Sequence, residues 1–302
     1  MEVVDKLTAD FSEHPDLPRA LWFIAEKYKK LKEYEKAAGI YQQIVQRHPD
    51  SPYAGKPNVD FQRAHILFLI ESERNAEAQA AIDRLGANLR DNTGLLSVLD
   101  DIAGKYHSLK KYDDAIEIYN TMIKVDPHSE LAAIAQQSIG WIYYSRKMYD
   151  RAIQAYRKVL NDYPESVQLA GSQYWIAQSY YRKRQYERAI EEYQKVISAY
   201  PESREALHSR RTVAVIYRFL DMDEQAISEN RQFLKDYPDS VWAPGAQSRV
   251  AESYLTNGKL ERAIEEYQKV VEMYPGSQAA DSAEKEIIRI RNIIQRKRYL
   301  SK

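Results

Sequence analysis

Residues 140–166 read GWIYYSRKMYDRAIQAYRKVLNDYPES, and this stretch decides the fold. Gly140 lies twelve residues before Ala152, Tyr156 lies four after it and Pro164 twelve after it. Apolar residues at such spacings share one face of a helix with about 3.6 residues per turn. A short polar link precedes Ala152, and the proline disfavours helix at the residue before it. The stretch therefore predicts two helices joined by a turn.

The same spacing recurs along the whole chain. Seven alanines, which we call the anchors, follow one another at steps of 41, 37, 37, 37, 37 and 37 residues: Ala37, Ala78, Ala115, Ala152, Ala189, Ala226 and Ala263. Twelve residues after six of these anchors stands a proline, and a serine follows two positions later: Ser51, Ser129, Ser166, Ser203, Ser240 and Ser277. A fixed period of this length indicates a repeat architecture in which each unit is one helix pair. We also expect each serine to cap the next helix.

The residues of one unit resemble a known repeat. Gly140-Trp-Ile-Tyr143, Ala152, Tyr156 and Pro164 follow the tetratricopeptide repeat (TPR) order of small residue, tyrosine, alanine, aromatic residue and proline. The Tyr-Pro-x-Ser endings are similar to those of bacterial cell-envelope TPR proteins, such as outer-membrane assembly lipoproteins. The resemblance implies an all-α fold, an α-solenoid of about seven TPR-like helix pairs that form a right-handed superhelix.

The period also predicts the boundaries of the array. His14-Pro-Asp16 lies 34 residues before His48-Pro-Asp50, so residues 1–16 are interpreted as a partial repeat that holds a second helix only. Residues 17–302 are predicted to form a single solenoid that ends in a capping helix over 277–300, because a solenoid needs a polar outer face at its end. The predicted units span about 17–50, 51–92, 93–128, 129–165, 166–202, 203–239 and 240–276.

The second unit departs most from the pattern. Ile82 replaces the aromatic residue, Arg90 replaces the proline, and four extra residues precede the unit's first helix. We interpret Pro52 to Pro57 as either an ordered loop or an offset start of that helix.

Composition excludes several classes of protein. The 302 residues contain 44 basic and 44 acidic side chains, so there is no net charge to attract nucleic acid or anionic lipid. The absence of cysteine excludes disulfides and thiolate chemistry. No segment approaches the roughly 20 apolar residues of a membrane-spanning helix. The resemblance implies a periplasmic or envelope-associated protein, whereas the sequence as it stands has no signal peptide and fits the cytoplasm, so the compartment is left open.

The sequence gives no sign of catalysis. It has no phosphate-binding loop, no zinc-hydrolase signature and no nucleophile elbow. The carboxylate pairs Glu191-Glu192 and Glu265-Glu266 fall between repeat positions, and we expect them on solvated helix faces. A solenoid also lacks the closed, water-excluding pocket that most enzymes need. We therefore predict a non-enzymatic protein without a cofactor or metal.

The first helix of each pair is expected to line the concave groove of the solenoid. The resemblance places groove positions 18, 15, 11, 8 and 7 residues before each anchor. Between Gly104 and Ser248 these positions carry no carboxylate but several arginines and aromatic residues, which are the types enriched at binding hot spots. The predicted partner-binding residues are Trp141, Tyr144, Tyr174, Gln178, Tyr181, Arg182, His208, Arg211, Arg218 and Phe219.

The predicted partner is a segment of another protein that carries aromatic or acidic residues, and association with further copies of the chain is left open. Two alternatives share the fold. Helical repeats can bind RNA, but zero net charge and the lack of a basic stripe disfavour nucleic acid here. A glycan-associated envelope scaffold, with groove aromatics stacked on sugars, is the other alternative.

Overall fold

The structure is a computed structural model that describes residues 2–88 and 92–300. In those ranges the chain forms sixteen α-helices, joined by turns, and no strand. The chain divides into two compact units, residues 1–146 and residues 147–302. The all-α architecture of consecutive helix pairs, predicted from the period, is confirmed. The repeat boundaries and the right-handed superhelix stay predictions.

The first unit contains eight helices in its described part. Their bounds are α1 Glu2–Asp10, α2 Leu17–Lys30, α3 Tyr34–Arg47, α4 Pro52–Glu71, α5 Asn75–Asn88, α6 Asn92–Ser108, α7 Tyr112–Val125 and α8 Glu130–Ser145. Sequential neighbours pack against each other from α1 to α5 and from α6 to α8. Alternate helices also touch, namely α2 with α4, α4 with α6, and α6 with α8.

The second unit contains a further eight helices among the residues that the structure describes. Their bounds are α9 Tyr149–Asp162, α10 Leu169–Arg182, α11 Tyr186–Ala199, α12 Arg204–Phe219, α13 Asp223–Asp236, α14 Ala243–Thr256, α15 Leu260–Met273 and α16 Gln278–Leu300. Each helix packs against the next, and α10 also touches α12 as α14 touches α16.

The anchors are the tightest points of this packing. All seven anchor alanines have 0% exposed surface. The side chains four residues later are buried as well, and Tyr41, Tyr156 and Tyr193 are among the largest fully buried residues of the chain. A methyl side chain at the anchor lets the neighbouring helix approach closely, and the ring beside it fills the remaining space. Most of the tyrosines at repeat positions therefore stabilise the array.

The turns within the helix pairs repeat one backbone conformation. Five residues before each anchor, the chain takes a positive φ, between 57° and 68°: Lys32, Glu73, Lys110, Lys147, Arg184, Asp221 and Gly258. The left-handed region favours glycine, yet only one of these seven positions holds it. Six turns therefore accept a local strain that helix packing offsets.

The serines between pairs act as predicted in four places and differently in two. Helices α4, α8, α12 and α16 begin directly after a serine whose Oγ accepts a hydrogen bond from a backbone N–H of the first turn. Ser166 and Ser240 accept from the N–H two residues ahead, at 3.0 and 3.3 Å, but these bonds lie within a turn that precedes the helix. Helix α14 therefore begins only at Ala243, and Trp242 becomes its N-cap residue.

The irregular second repeat, predicted over residues 51–92, begins with a helix. Helix α4 begins at Pro52 and runs for 20 residues, so the four extra residues lengthen the first helix, and the offset start is correct rather than the loop. The proline restricts little there, because the first helical position needs no N–H donor. Arg90, the replacement for the proline, lies outside the described residues.

The prediction that both carboxylate pairs are solvated is wrong for one member of each pair. Glu191 and Glu265 are exposed, but Glu192 and Glu266 are buried. Glu192 accepts a hydrogen bond from Gln173 Nε2 at 2.6 Å, and Glu266 accepts one from the matching glutamine, Gln247, also at 2.6 Å. Since a buried carboxylate needs partners, these pairs tie the first helix of a repeat to its second.

Glycine at the α14–α15 turn gives a direct test of the strained turn position. A Cβ at Gly258 would meet no atom within 4 Å, so Gly258→Ala adds only backbone strain at φ +68°. We expect it to lower the free energy of unfolding by about 1 kcal/mol, measured by urea denaturation. Gly104→Ala is the matched control, because it also meets nothing within 4 Å but lies inside a helix; it should stabilise by about 0.5–1 kcal/mol. Equal effects of the two changes would contradict the strain.

Glu266 predicts a pH dependence of stability. Burial alone would raise the pKa of its carboxyl, but hydrogen bonds from Lys269, Gln247 and Arg231 outweigh burial and lower the pKa below 4.5. A carboxyl group of this kind stabilises the fold above its unfolded pKa, and that stability is lost as the pH falls toward its folded pKa. Glu266→Gln should therefore cost about 1–3 kcal/mol at pH 7 and flatten the fall in Tm below about pH 4.5.

Glu265→Gln is the control for that comparison, because this neighbouring carboxylate is exposed. It should leave the acid branch of the Tm profile as in the wild type. If Glu266→Gln shows the wild-type profile too, the buried carboxylate does not contribute as described.

Candidate partner-binding surface

The first-helix face of the first unit carries charges that pair with one another. Lys29 Nζ lies 3.6 Å from Asp60 Oδ1, and Lys105 Nζ lies 2.9 Å from Glu71 Oε1. Arg63, on α4, reaches across to α6, where its Nε lies 3.1 Å from Asp101 Oδ2. These pairs link successive first helices.

A cavity of about 420 Å³ opens on the same face. Four of its lining residues hold predicted groove positions: Leu67, Asp100, Gly104 and Ser108. The spacing rule for the groove therefore identifies residues that border open space in this unit.

Two predicted partner-binding residues lie on α8, also in the first unit. The ring planes of Trp141 and Tyr144 are inclined by 19°, and their centroids lie 5.7 Å apart. Trp141 keeps 41% of its surface exposed, which is high for an indole ring. The pair presents a flat aromatic surface.

In the second unit, four of the predicted residues come together on α10 and α12. Gln178 Nε2 donates a hydrogen bond to the hydroxyl of Tyr174 at 2.6 Å, and this fixes the tyrosine ring one turn away. The Tyr174 ring lies 5.8 Å from the buried ring of Tyr193 and 6.4 Å from the imidazole of His208. His208 and Arg211 then follow on the same face of α12. The predicted positions thus form one continuous surface across two repeats.

Arg211 and His208 converge on Trp242, the N-cap residue of α14. The Arg211 guanidinium lies 4.9 Å from the centroid of the Trp242 ring, a cation–π geometry. His208 meets the same ring edge-on at 5.1 Å. Burial, followed by the charges of Arg211 and Arg204, lowers the pKa of His208 below its usual range, which favours a neutral imidazole at neutral pH.

The remaining predicted residues lie at the turn ends of α10 and α12. Tyr181 packs 5.9 Å from Tyr186, which in turn lies 5.1 Å from Phe219. Phe219 keeps 66% of its surface exposed, and Arg182, which follows Tyr181 in the chain, is exposed as well. This aromatic edge is separate from the Trp242 contacts described above.

The charge segregation predicted from the sequence holds only in part. Arg218 forms an ion pair with Glu252 of the next repeat, and the two side chains are equally exposed, at 41%. The groove positions from Gly104 to Ser248 lack a carboxylate, but Glu252, the next groove position, neutralises Arg218. No such pair is found for Arg211 among the described residues.

Two residues of this surface were missed in the sequence. Trp242 follows Ser240, and its place in the groove depends on the late start of α14, for which Pro244 in the first turn was the available signal. Arg249 lies 14 residues before its anchor and was not among the five groove positions. It follows Gly245 by four residues, so it lies on the same helix face as that predicted position.

Within residues 2–88 and 92–300, no three histidine, aspartate or glutamate side chains cluster closely enough to hold a metal ion. None of the helices in these ranges is both long and apolar enough to cross a bilayer.

Comparison with known families identifies the repeat. Residues 140–300 match the family described as YfiO, outer membrane lipoprotein. Tetratricopeptide-repeat families match residues 108–167 and residues 20–51. No curated protein sequence matches the chain.

Solved structures agree with the fold. The C-terminal part of a TPR repeat-containing protein from Cytophaga hutchinsonii is 16% identical, covering 87% of this chain and 98% of that one, with a TM-score of 0.58. A chain in the structure of Naa15/Naa10 bound to HypK-THB is also 16% identical, covering 91% of this chain and 39% of that one, with a TM-score of 0.52. The chain is a tetratricopeptide-repeat protein and belongs to the YfiO outer membrane lipoprotein family.

Proposed function

We propose that this chain is a non-enzymatic scaffold that holds a segment of a partner protein on the first-helix face of its second unit. The residues proposed to bind the segment are Tyr174, Gln178, Tyr181, Arg182, His208, Arg211, Arg218 and Phe219. Trp141 and Tyr144 are proposed to offer a further aromatic surface on the first unit. The absence of catalytic motifs in the sequence supports the non-enzymatic part of the proposal.

The observation that carries the proposal is the difference between the two faces. On the first unit, Lys29, Arg63 and Lys105 are all committed to carboxylates of the neighbouring repeat. On the second unit, Arg218 pairs with Glu252 in the same way, but the Arg211 guanidinium rests on the Trp242 ring and forms no ion pair with a described residue. Ion pairs between repeats hold those repeats together. An arginine that rests on an aromatic ring, in contrast, remains available to bind a ligand.

The residue types fit a polypeptide ligand. Tyrosine, tryptophan and arginine dominate binding hot spots because they bury large areas with few rotatable bonds or make bidentate hydrogen bonds. The hydrogen bond between Gln178 and Tyr174 positions the ring before a ligand arrives, which lowers the entropy cost of binding. Binding is then passive: the array presents a fixed surface, and its side chains select the partner.

The family supports an envelope setting. The matching family is described as an outer membrane lipoprotein, so we propose that the protein works at the bacterial cell envelope as part of a multiprotein assembly. Fractionation of the source cells, followed by detection of the native protein with an antibody, tests this placement. Recovery in the cytosolic fraction alone would contradict it.

Selection of peptides tests the binding surface. Phage-displayed random dodecapeptides would be selected against the full chain, and the affinity of the recovered peptides measured for wild type and for Tyr181→Ala combined with Arg211→Glu. We expect the double variant to bind at least about tenfold more weakly, because it removes an aromatic contact and reverses a charge at the centre of the surface.

Lys235→Glu is the matched control, since this exposed lysine lies on the second helix α13, away from the first-helix face. It makes the same charge reversal and should leave the affinity unchanged. Peptides that bind wild type and the double variant equally well would place the binding site elsewhere, and failure to recover any peptide would count against the proposal as a whole.

A further inference from the structure

A largely buried cation of the second unit, Arg249, has no counter-ion among the described residues. Arg249 on α14 is largely buried, and its Nη1 atom is buried without any hydrogen-bond partner. No acidic side chain in the described part of the chain forms an ion pair with it. Burying a guanidinium is costly unless hydrogen bonds and an opposite charge compensate. A buried, unpaired cation on a binding face therefore requires an explanation.

The neighbours of Arg249 add positive charge. Burial, and then the charge of Arg211, lower the pKa of Arg249; Glu252 acts in the opposite direction, but it is engaged by Arg218. The guanidinium lies beside the N-terminal turn of α14, where a Cβ on Gly245 would come 3.7 Å from Arg249 Nη2. Arg211, stacked on Trp242, occupies the same region.

In the first unit, the two corresponding repeat positions hold an ion pair. Arg63 lies 15 residues before its anchor and Asp101 lies 14 before the next anchor, and the two form an ion pair at 3.1 Å. Arg211 and Arg249 hold the same two positions, 15 and 14 residues before their anchors. The array thus brings these positions together, and where the first unit has arginine with aspartate, the second has arginine with arginine.

We propose that a carboxylate side chain of the bound partner segment binds between Arg211 and Arg249, and so supplies the negative charge that Asp101 supplies in the first unit. The inference rests on the proposed function and specifies its ligand: an aspartate or glutamate within an extended segment. Two guanidinium groups offer parallel N–H donors that match the two oxygens of a carboxylate. The Trp242 ring beside them provides an apolar surface for the stem of the acidic side chain or for a neighbouring residue.

Two substitutions of Arg249 separate this idea from a structural role. Arg249→Asp rebuilds the arginine–aspartate pair of the first unit, so its carboxylate should occupy the site and remove an unpaired buried charge. Arg249→Met keeps much of the side-chain volume and removes the charge. We expect both variants to raise the apparent Tm by about 2 °C or more, as measured by circular dichroism. A lower Tm for both would show that the fold already satisfies this guanidinium, which would overturn the proposal.

Peptide binding supplies the second readout. Amidated dodecapeptides selected on the wild-type chain should contain aspartate or glutamate, and replacing these residues by asparagine or glutamine should weaken binding about tenfold. Arg249→Met should bind the acidic and amide peptides with equal affinity. Asp101→Arg in the first unit is the control, and it should leave the preference for acidic peptides intact.

The outcomes distinguish the two proposals. If peptides bind and Tyr181→Ala with Arg211→Glu abolishes binding, but amide replacement leaves the affinity unchanged, the surface is correct and the carboxylate site is wrong. If binding requires a free C-terminal carboxylate, tested with peptides that are not amidated, the assignment to an acidic side chain is also wrong. If no peptide binds, the proposed function fails, and the Tm of the Arg249 variants still tests the unpaired charge.

Discussion

Close approach of neighbouring helices at the anchor alanines is the constraint on which the rest of the structure depends. With no side chain beyond a methyl group at these fully buried positions, helices settle at one separation and one register, which interior packing then holds. The register decides which side chains meet between successive repeats. It places a residue 15 before one anchor against a residue 14 before the next, as the Arg63–Asp101 pair shows.

Once the register is fixed, the residue types at a few repeat positions determine whether the first-helix face of a unit pairs its charges internally or leaves them for a ligand. In the first unit the positions 15 and 14 residues before successive anchors hold Arg63 and Asp101, and this pair fastens one repeat to the next. In the second unit the same positions hold arginine twice, beside a tryptophan brought into place by a late helix start. The same repeat spacing thus gives an ion pair in one unit and an unpaired, largely buried cation in the other. The unpaired charge lowers the stability of the fold at the surface where binding is proposed.

The period of 37 residues made the helices, the buried anchors and four of the serine caps predictable, because all of these are local consequences of spacing. The contacts between helices were harder to predict from the sequence. The burial of Glu192 and Glu266, the pairing of Arg218 with Glu252, and the position of Arg249 all depend on which residue of another helix lies opposite. A single sequence gives the face of a helix but does not give its partner across the interface.

Photo-crosslinking tests most directly whether the first-helix face of the second unit holds a partner. Benzoylphenylalanine would replace Gln178, which lies on that face, or exposed Gln232 on the second helix α13, in the full chain expressed in the source cells. We expect one protein adduct of defined mass from position 178 and none from position 232. Adducts from position 232 alone, or an equal yield from both positions, would contradict the account.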